Sequence, residues 1–272
     1  MNEKLLLIND MPGYGKVALA AMIPVLSHMG YHLYNLPTAL VSNTLDYGTF
    51  DILDTTQYMK NTLAVWKKLG FTFDCISTGF IISEEQAALV AAYCGEQRQR
   101  GTRVFVDPIM GDNGRLYNGV SAQTVSHMRQ LCRVADVMMP NFTEAMFLAD
   151  RFQGDTDLSQ AQANRLVASL RELCTGSIVI TSACVEGQAQ VLGWNAAENR
   201  QFFLPFEPVP VQFPGTGDLF SAVLVGKMMA GLPLEQSTQL AMDTVRTLII
   251  KNRDNRDKFK GIPLEQYLEE LP

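Results

Sequence analysis

The 272-residue sequence lacks the features that mark several large classes of protein. It contains no run of about 18 apolar residues, so we expect no transmembrane helix. Its five cysteines are scattered and never form a CxxC pair, which disfavours a disulfide framework or a zinc site and suits a reducing cytoplasm. No block of Lys or Arg occurs and the net charge is −6, so neither nucleic acid nor an anionic membrane surface is expected as the main partner. These absences predict a cytoplasmic globular protein, and they leave room for a small anionic ligand at a local site.

Several catalytic motifs are also missing. The two Gly-Lys pairs end in Lys16 and Lys227, and neither lysine is followed by Ser or Thr, so there is no P-loop. There is no GxSxG and no HExxH. Gly13, Gly15 and Ala18 match G-x-G-x-x-A, but no acidic residue follows about 20 positions later to bind a ribose. We therefore interpret these glycines as a tight strand-to-helix turn, and a Rossmann oxidoreductase is disfavoured.

Short apolar runs alternate with longer amphipathic segments along the chain. The predicted strands are residues 4–9, 31–36, 74–78, 103–107, 137–139 and 177–181, followed by an antiparallel pair at 188–194 and 201–205. The predicted helices are residues 17–29, 55–70, 83–100, 159–174, 217–230 and 234–253, with another starting at the capping-box pattern of 141–144 and a short one at 263–270. An irregular stretch is expected from 107 to Gly119. This alternation predicts one α/β domain over residues 1–272, with three αβα layers and a mostly parallel sheet that has an antiparallel edge.

Polar residues end many of the predicted strands. In open α/β sheets, ligands bind beyond the carboxyl ends of the strands, so these residues are the candidates for a site. They are Asn9, Asp10, Thr78, Asp107, Asn141, Thr181 and Ser182.

The segment Gly215-Thr216-Gly217-Asp218 directly precedes a long apolar helix. Consecutive backbone N–H groups at such a helix start can converge on an anion. Asp218, in the first turn, is stabilised there as a helix-terminal charge, or it acts as a base beside a transferring phosphoryl group.

Five blocks of sequence together resemble the pyridoxal kinase family of the ribokinase-like superfamily. Gly215–Asp218 resembles the superfamily signature, and the other blocks narrow the resemblance to the family. They are 41–48 (VSNTLDYG), 77–80 (STGF), 107–112 (DPIMGD) and 135–144 (ADVMMPNFTE), with 179–182 (VITS) at the place where the family contacts nucleotide phosphates.

The resemblance implies an ATP-dependent kinase with a ribokinase-like fold and no separate lid domain. It implies that Asp218 is the general base and that Gly215, Thr216 and Gly217 form the anion hole. It implies an ATP-binding site formed by Asp112, Asn141, Thr181 and Ser182, and a Mg²⁺ site formed by Asp107 and Glu144. The alternative interpretation of Asn141 and Glu144, without the resemblance, is a helix capping box alone. The resemblance also implies a homodimer, and it leaves open whether a monovalent cation is required.

The predicted substrate side departs from the family pattern. Asp10 replaces a Ser, Thr44-Leu45 replaces His-Thr, and Phe80 replaces a Tyr. The expected reaction is transfer of the ATP γ-phosphate to the hydroxymethyl group of pyridoxal, pyridoxine or pyridoxamine. The alternatives are a hydroxymethylpyrimidine kinase, a sugar kinase, and a non-catalytic protein that binds a vitamer or nucleotide.

Overall fold

A computed structural model describes residues 2–118, 120–150 and 156–272; Gly119, where the predicted irregular stretch ends, lies outside them. The strands are β1 (Lys4–Pro12), β2 (His32–Val41), β3 (Ile52–Asp54), β4 (Cys75–Thr78), β5 (Arg103–Val106), β6 (Gly111–Asp112), β7 (Arg115–Leu116), β8 (Val137–Met138), β9 (Ser177–Val185), β10 (Gln188–Asn195) and β11 (Arg200–Pro205). The helices are α1 (Ala18–His28), α2 (Thr56–Leu69), α3 (Glu84–Arg98), α4 (Gln123–Cys132), α5 (Phe142–Leu148), α6 (Gln160–Leu173), α7 (Thr216–Met229) and α8 (Leu234–Asn252). In the part of the chain that is described, no helix is long and apolar enough to cross a membrane.

The chain folds into two compact units, the first formed by Met1–Phe80 with Val209–Pro272. Its strands lie in the order β4-β1-β2-β3, with β1 parallel to β2 and β4. Residues 5–8 of β1 are fully buried, as expected for a central parallel strand covered on both faces. Helix α1 packs on β1 and β2, and α7 packs between α1 and α8. This arrangement holds the start of α7 beside the carboxyl end of β1.

The second unit is Ile81–Pro208. Its strands lie in the order β11-β10-β9-β8-β5, in which β5, β8 and β9 are parallel and β10 and β11 are antiparallel. Helix α5 packs against β6 and β9, and α6 packs against β9 and β10. The predicted α/β class, with a mostly parallel sheet and an antiparallel edge, is confirmed.

Some predicted boundaries are wrong. Strand β2 continues to Val41, five residues beyond its predicted end, because Leu36, Ala39 and Val41 are all buried. Strand β3 was not predicted; it is only three residues long, and it pairs antiparallel with β2. The hairpin of β6 and β7 was not predicted either. The predicted helix at 263–270 consists of two 3₁₀ turns, Leu264–Gln266 and Leu268–Glu270.

Candidate active site

Asp218 lies in the first turn of α7, and it is buried, with 8% of its surface exposed. Gly215, the residue directly before α7, has a left-handed φ of 82°, and a Cβ there would lie 1.9 Å from the carbonyl oxygen of Lys16. Only glycine fits this turn without strain. The first-turn N–H groups have no acceptor within the helix, so together with the helix dipole they form an anion-binding end directly beside the carboxylate.

Asn9, in the second half of β1, connects this strand to the carboxylate. Its Nδ2 donates to Asp218 Oδ1 at 3.2 Å. Its Oδ1 accepts the N–H of Phe80 at 2.8 Å and the N–H of Asp10 at 3.0 Å. The backbone N–H of Ala18 also donates to the Asp218 carboxylate. Asp218 is therefore desolvated but keeps donors that stabilise its ionised form.

Asp10 and Asp218 both have raised pKa values, and the Asp218 carboxylate adds to the effect of burial on Asp10. Burial raises the pKa of Asp218 to about 6, against the lowering effect of the bonds from Ala18 and Asn9. Burial and then the Asp218 carboxylate raise the pKa of Asp10 to about 7. Two carboxyls with pKa values raised into the neutral range, at the start of a helix, are typical of proton-transfer sites.

The other residues predicted for the substrate side lie in the same unit. Phe80 is buried, its N–H bonded to Asn9 and its carbonyl oxygen accepting from the Thr38 hydroxyl at 2.8 Å. Thr44 is also buried, and its hydroxyl donates to the carbonyl oxygen of Phe259 at 2.6 Å. Leu45 is half-buried and begins a 3₁₀ turn. The structure thus brings Asp10 and Phe80 together through Asn9, whereas the Thr44 hydroxyl is occupied by the backbone.

A second cluster of predicted site residues lies in the unit Ile81–Pro208, at the ends of β5 and β8. Asn141 and Glu144 form a complete capping box on α5. The Glu144 carboxylate accepts the N–H groups of Asn141 at 2.8 Å and Met110 at 3.0 Å, and also that of Gly111. Burial and the neighbouring Asp107 carboxylate raise the pKa of Glu144 well above its ordinary value. Glu144 therefore holds the 107–111 segment to the start of α5.

Replacing Glu144 by Gln tests this structural role. The amide nitrogen of Gln faces N–H donors that now bond to a carboxylate oxygen, so we expect a loss of about 1–3 kcal/mol in the free energy of unfolding. Thermal unfolding of Glu144→Gln beside Glu84→Gln, an exposed first-turn acid of α3, measures it. An unchanged Tm with a higher Mg²⁺ requirement would show that the side chain serves the metal and not the fold.

The remaining predicted ATP-side residues surround this cluster. Thr181 pairs with Asn141 through an isolated parallel bridge, and its N–H donates to the carbonyl oxygen of Pro140 at 3.0 Å. Ser182 is exposed and has a φ of 61°, an unusual backbone conformation for a residue that is not glycine. Asp112 is half-buried and accepts the N–H of Asn113 at 2.7 Å; burial raises its pKa.

Sequence reasoning left Asn9 and Ala18 without a role. Asn9 stands out only as a polar residue at a strand end, and nothing in the sequence relates it to a carboxylate 209 residues away. Ala18 has a φ of 47°, which no sequence pattern indicates for alanine.

Comparison with known proteins decides the family. The family model described as phosphomethylpyrimidine kinase matches residues 19–261. The chain belongs to this family. The predicted relationship to pyridoxal kinases and the ribokinase-like superfamily is confirmed. The chain is therefore a kinase.

Three similar proteins illustrate the likeness. A Bacteroides thetaiotaomicron protein described as a phosphomethylpyrimidine kinase, solved with pyridoxal, is 34% identical, with a TM-score of 0.92 over 99% of this chain and 95% of that one. A pyridoxine/pyridoxal/pyridoxamine kinase of Bordetella avium is 29% identical over 83% of this chain and 77% of its own length. A Leishmania donovani pyridoxal kinase in complex with ADP and pyridoxamine is 24% identical, with a TM-score of 0.85 over 98% and 95% of the two chains; this likeness establishes the fold alone.

Proposed function

We propose that this kinase transfers the γ-phosphate of ATP to the hydroxymethyl group of pyridoxal, pyridoxine or pyridoxamine. The observation that carries the proposal is Asp218, a buried carboxyl with a pKa of about 6 in the first turn of α7. The pyridoxal in the Bacteroides thetaiotaomicron structure and the similarity to the Bordetella avium pyridoxine/pyridoxal/pyridoxamine kinase support the choice of substrate.

Asp218 accepts the hydroxyl proton as the substrate oxygen attacks the γ-phosphorus. The new P–O bond forms while the bond from phosphorus to the β-phosphate oxygen breaks, and ADP leaves. The N–H groups at the start of α7 stabilise the negative charge on the transferring group. Because Asp218 titrates near pH 6, it is mostly ionised, and therefore competent as a base, at neutral pH.

Mg²⁺ fits the donor set beside α5. Within residues 2–118, 120–150 and 156–272, no three His, Cys, Asp or Glu side chains converge to hold a metal by themselves. Mg²⁺ characteristically binds one or two carboxylates and completes its shell with water and substrate phosphates. Asp107 would hold the ion, since the oxygens of Glu144 already accept three backbone N–H groups. The ion would neutralise charge on the ATP phosphates.

Asp10 is proposed to contact the substrate ring. Asp10→Ser removes the carboxyl that would contact the ring, so we expect the KM for the vitamer to change at least about tenfold, the effect of a lost hydrogen bond to a charged group. The KM for ATP should change less than about twofold, since ATP is bound by other residues. Steady-state kinetics with each vitamer, beside Asp51→Asn as an exposed control, measure both constants. Equal changes in the KM for the vitamer and the KM for ATP would show that Asp10 does not contact the substrate ring.

A pyrimidine is the second candidate substrate, because the matching family model is that of phosphomethylpyrimidine kinases. ATP consumption with the three vitamers, hydroxymethylpyrimidine, its monophosphate and simple sugars tests both candidates. We expect the highest kcat/KM with a vitamer; a higher value with a pyrimidine would overturn the proposal. A homodimer and a cytoplasmic location remain predictions, and sedimentation of the pure protein tests the first.

A further inference from the structure

The orientation of the Asn9 side chain is determined by its neighbours. Two backbone N–H groups, those of Asp10 and Phe80, point at its Oδ1 at 3.0 and 2.8 Å. An N–H group can only donate, so the Nδ2 end of the amide must face the other way, toward Asp218. There it donates to Oδ1 at 3.2 Å.

The surrounding residues leave this amide little room to move. Asn9 is 2% exposed, and a Cβ on Gly79 would lie within 2.5 Å of the three terminal atoms of its side chain. Since Gly79 follows β4 and Asn9 lies on β1, the close approach of the two strands clamps the side chain. A rigid donor beside a carboxylate fixes which way that carboxylate points.

We propose that Asn9 is a positioning residue for Asp218: its clamped amide holds the carboxylate in one orientation and keeps it ionised for proton transfer. This inference rests on the proposed role of Asp218 as the base. Asn9 also connects the base to the substrate side, because the same amide holds the backbone of Asp10 and Phe80.

The charges around Asp218 define what the amide must counteract. On β1, Asp10 is a second carboxyl, whose own pKa is raised to about 7 by burial and by the Asp218 carboxylate, so it is largely protonated while Asp218 ionises. The turn before α1 carries Lys16, whose ammonium pairs with Glu265, and α1 itself contributes the Ala18 N–H. On its own helix, the first-turn N–H groups favour the ionised form. Burial opposes ionisation of Asp218, and the Asn9 donor is one of the bonds that offset it, so removal of that donor must raise the pKa of Asp218.

Asn9→Asp is the sharpest test, because it keeps the size and the acceptor for both N–H groups but replaces the donor by a carboxylate oxygen, whose negative charge also opposes ionisation of Asp218. The activity of the wild type should rise with pH through about 6, as the base ionises. In Asn9→Asp we expect this acid limb of the kcat profile to move up by at least about one pH unit. At pH 6 kcat then falls about fivefold to tenfold, and at pH 8.5 it returns to within about threefold of the wild type.

Met22→Leu is the matched control, since the Met22 sulfur also contacts Asn9 Nδ2, at 3.9 Å, without being a carboxylate. Its profile should keep the wild-type midpoint. A merely structural Asn9 would lower kcat equally at all pH values, together with Tm, and that outcome would overturn the proposal.

Two further measurements keep the test decisive. If Asn9→Asp does not fold, the side-chain amide ¹⁵N–¹H resonance of Asn9 in the wild type should titrate near pH 6, and that step should vanish in Asp218→Asn. A resonance insensitive to pH contradicts the inference. If Asp218→Asn itself keeps full activity, the proposed function is wrong. If Asp218→Asn is inactive but the acid limb of the kcat–pH profile of Asn9→Asp does not shift, only the proposed role of Asn9 is wrong.

Discussion

Asp218→Asn should lower kcat by at least about 10²-fold, the usual contribution of a general base. Asn keeps the size of the side chain but cannot accept the substrate proton at neutral pH. ATP affinity should be unchanged or slightly higher, because a negative charge beside the transferring phosphate is removed. Turnover and ATP binding of the pure variant measure both effects. Wild-type kcat with every hydroxymethyl substrate would exclude Asp218 as the base.

The same variant has a stability signature with a defined sign. Because folding raises the pKa of Asp218 from 3.8 to about 6, ionisation of this group costs the folded state stability as pH rises through that window. Asn does not ionise, so the Tm of the variant relative to wild type should rise between pH 4 and about 7 and then level off. Glu235→Gln, in the first turn of α8, is the control, and its Tm difference should show no such rise.

Gly215→Ala and Gly217→Ala should separate folding from phosphate binding within one turn. Alanine at 215 meets a left-handed φ of 82° and a backbone oxygen 1.9 Å from its Cβ, so we expect a loss of at least about 2 kcal/mol and roughly 5 °C in Tm. A Cβ at 217 meets no atom within 4 Å, so that variant should fold as well as the wild type. We expect the added methyl group to crowd a phosphate bound at the first-turn N–H groups, so kcat/KM for ATP should fall about tenfold.

Thermal unfolding and steady-state kinetics of the two variants test this pair. Normal kinetics in Gly217→Ala would show that no phosphate binds at the start of α7. A normal Tm in Gly215→Ala would show that the turn from Lys16 can move aside.

The features that the sequence predicted correctly are local in the chain. The alternation of apolar runs with amphipathic segments gave the α/β class, because each strand and helix expresses its own period. The capping box of Asn141 and Glu144 needs only residues three positions apart, and it is formed. The start of α7 at Gly215–Asp218 is likewise local, since glycine and the helix dipole act over one turn.

The features that only the tertiary structure decided involve distant residues. Burial of Asp218, and hence its pKa of about 6, depends on Asn9 and Ala18, which approach it across about 200 residues of sequence. The hydroxyl of Thr44, predicted for the substrate, is bonded to the backbone of Phe259, 215 residues away. Solvation and hydrogen-bond partners depend on which strands lie side by side, and composition does not record that. The residue types in this sequence therefore determined which chemistry was available, whereas the pairing of β1 with β4 and the packing of α1 on β1 and α7 determined which carboxylate was buried, held in place and given a raised pKa.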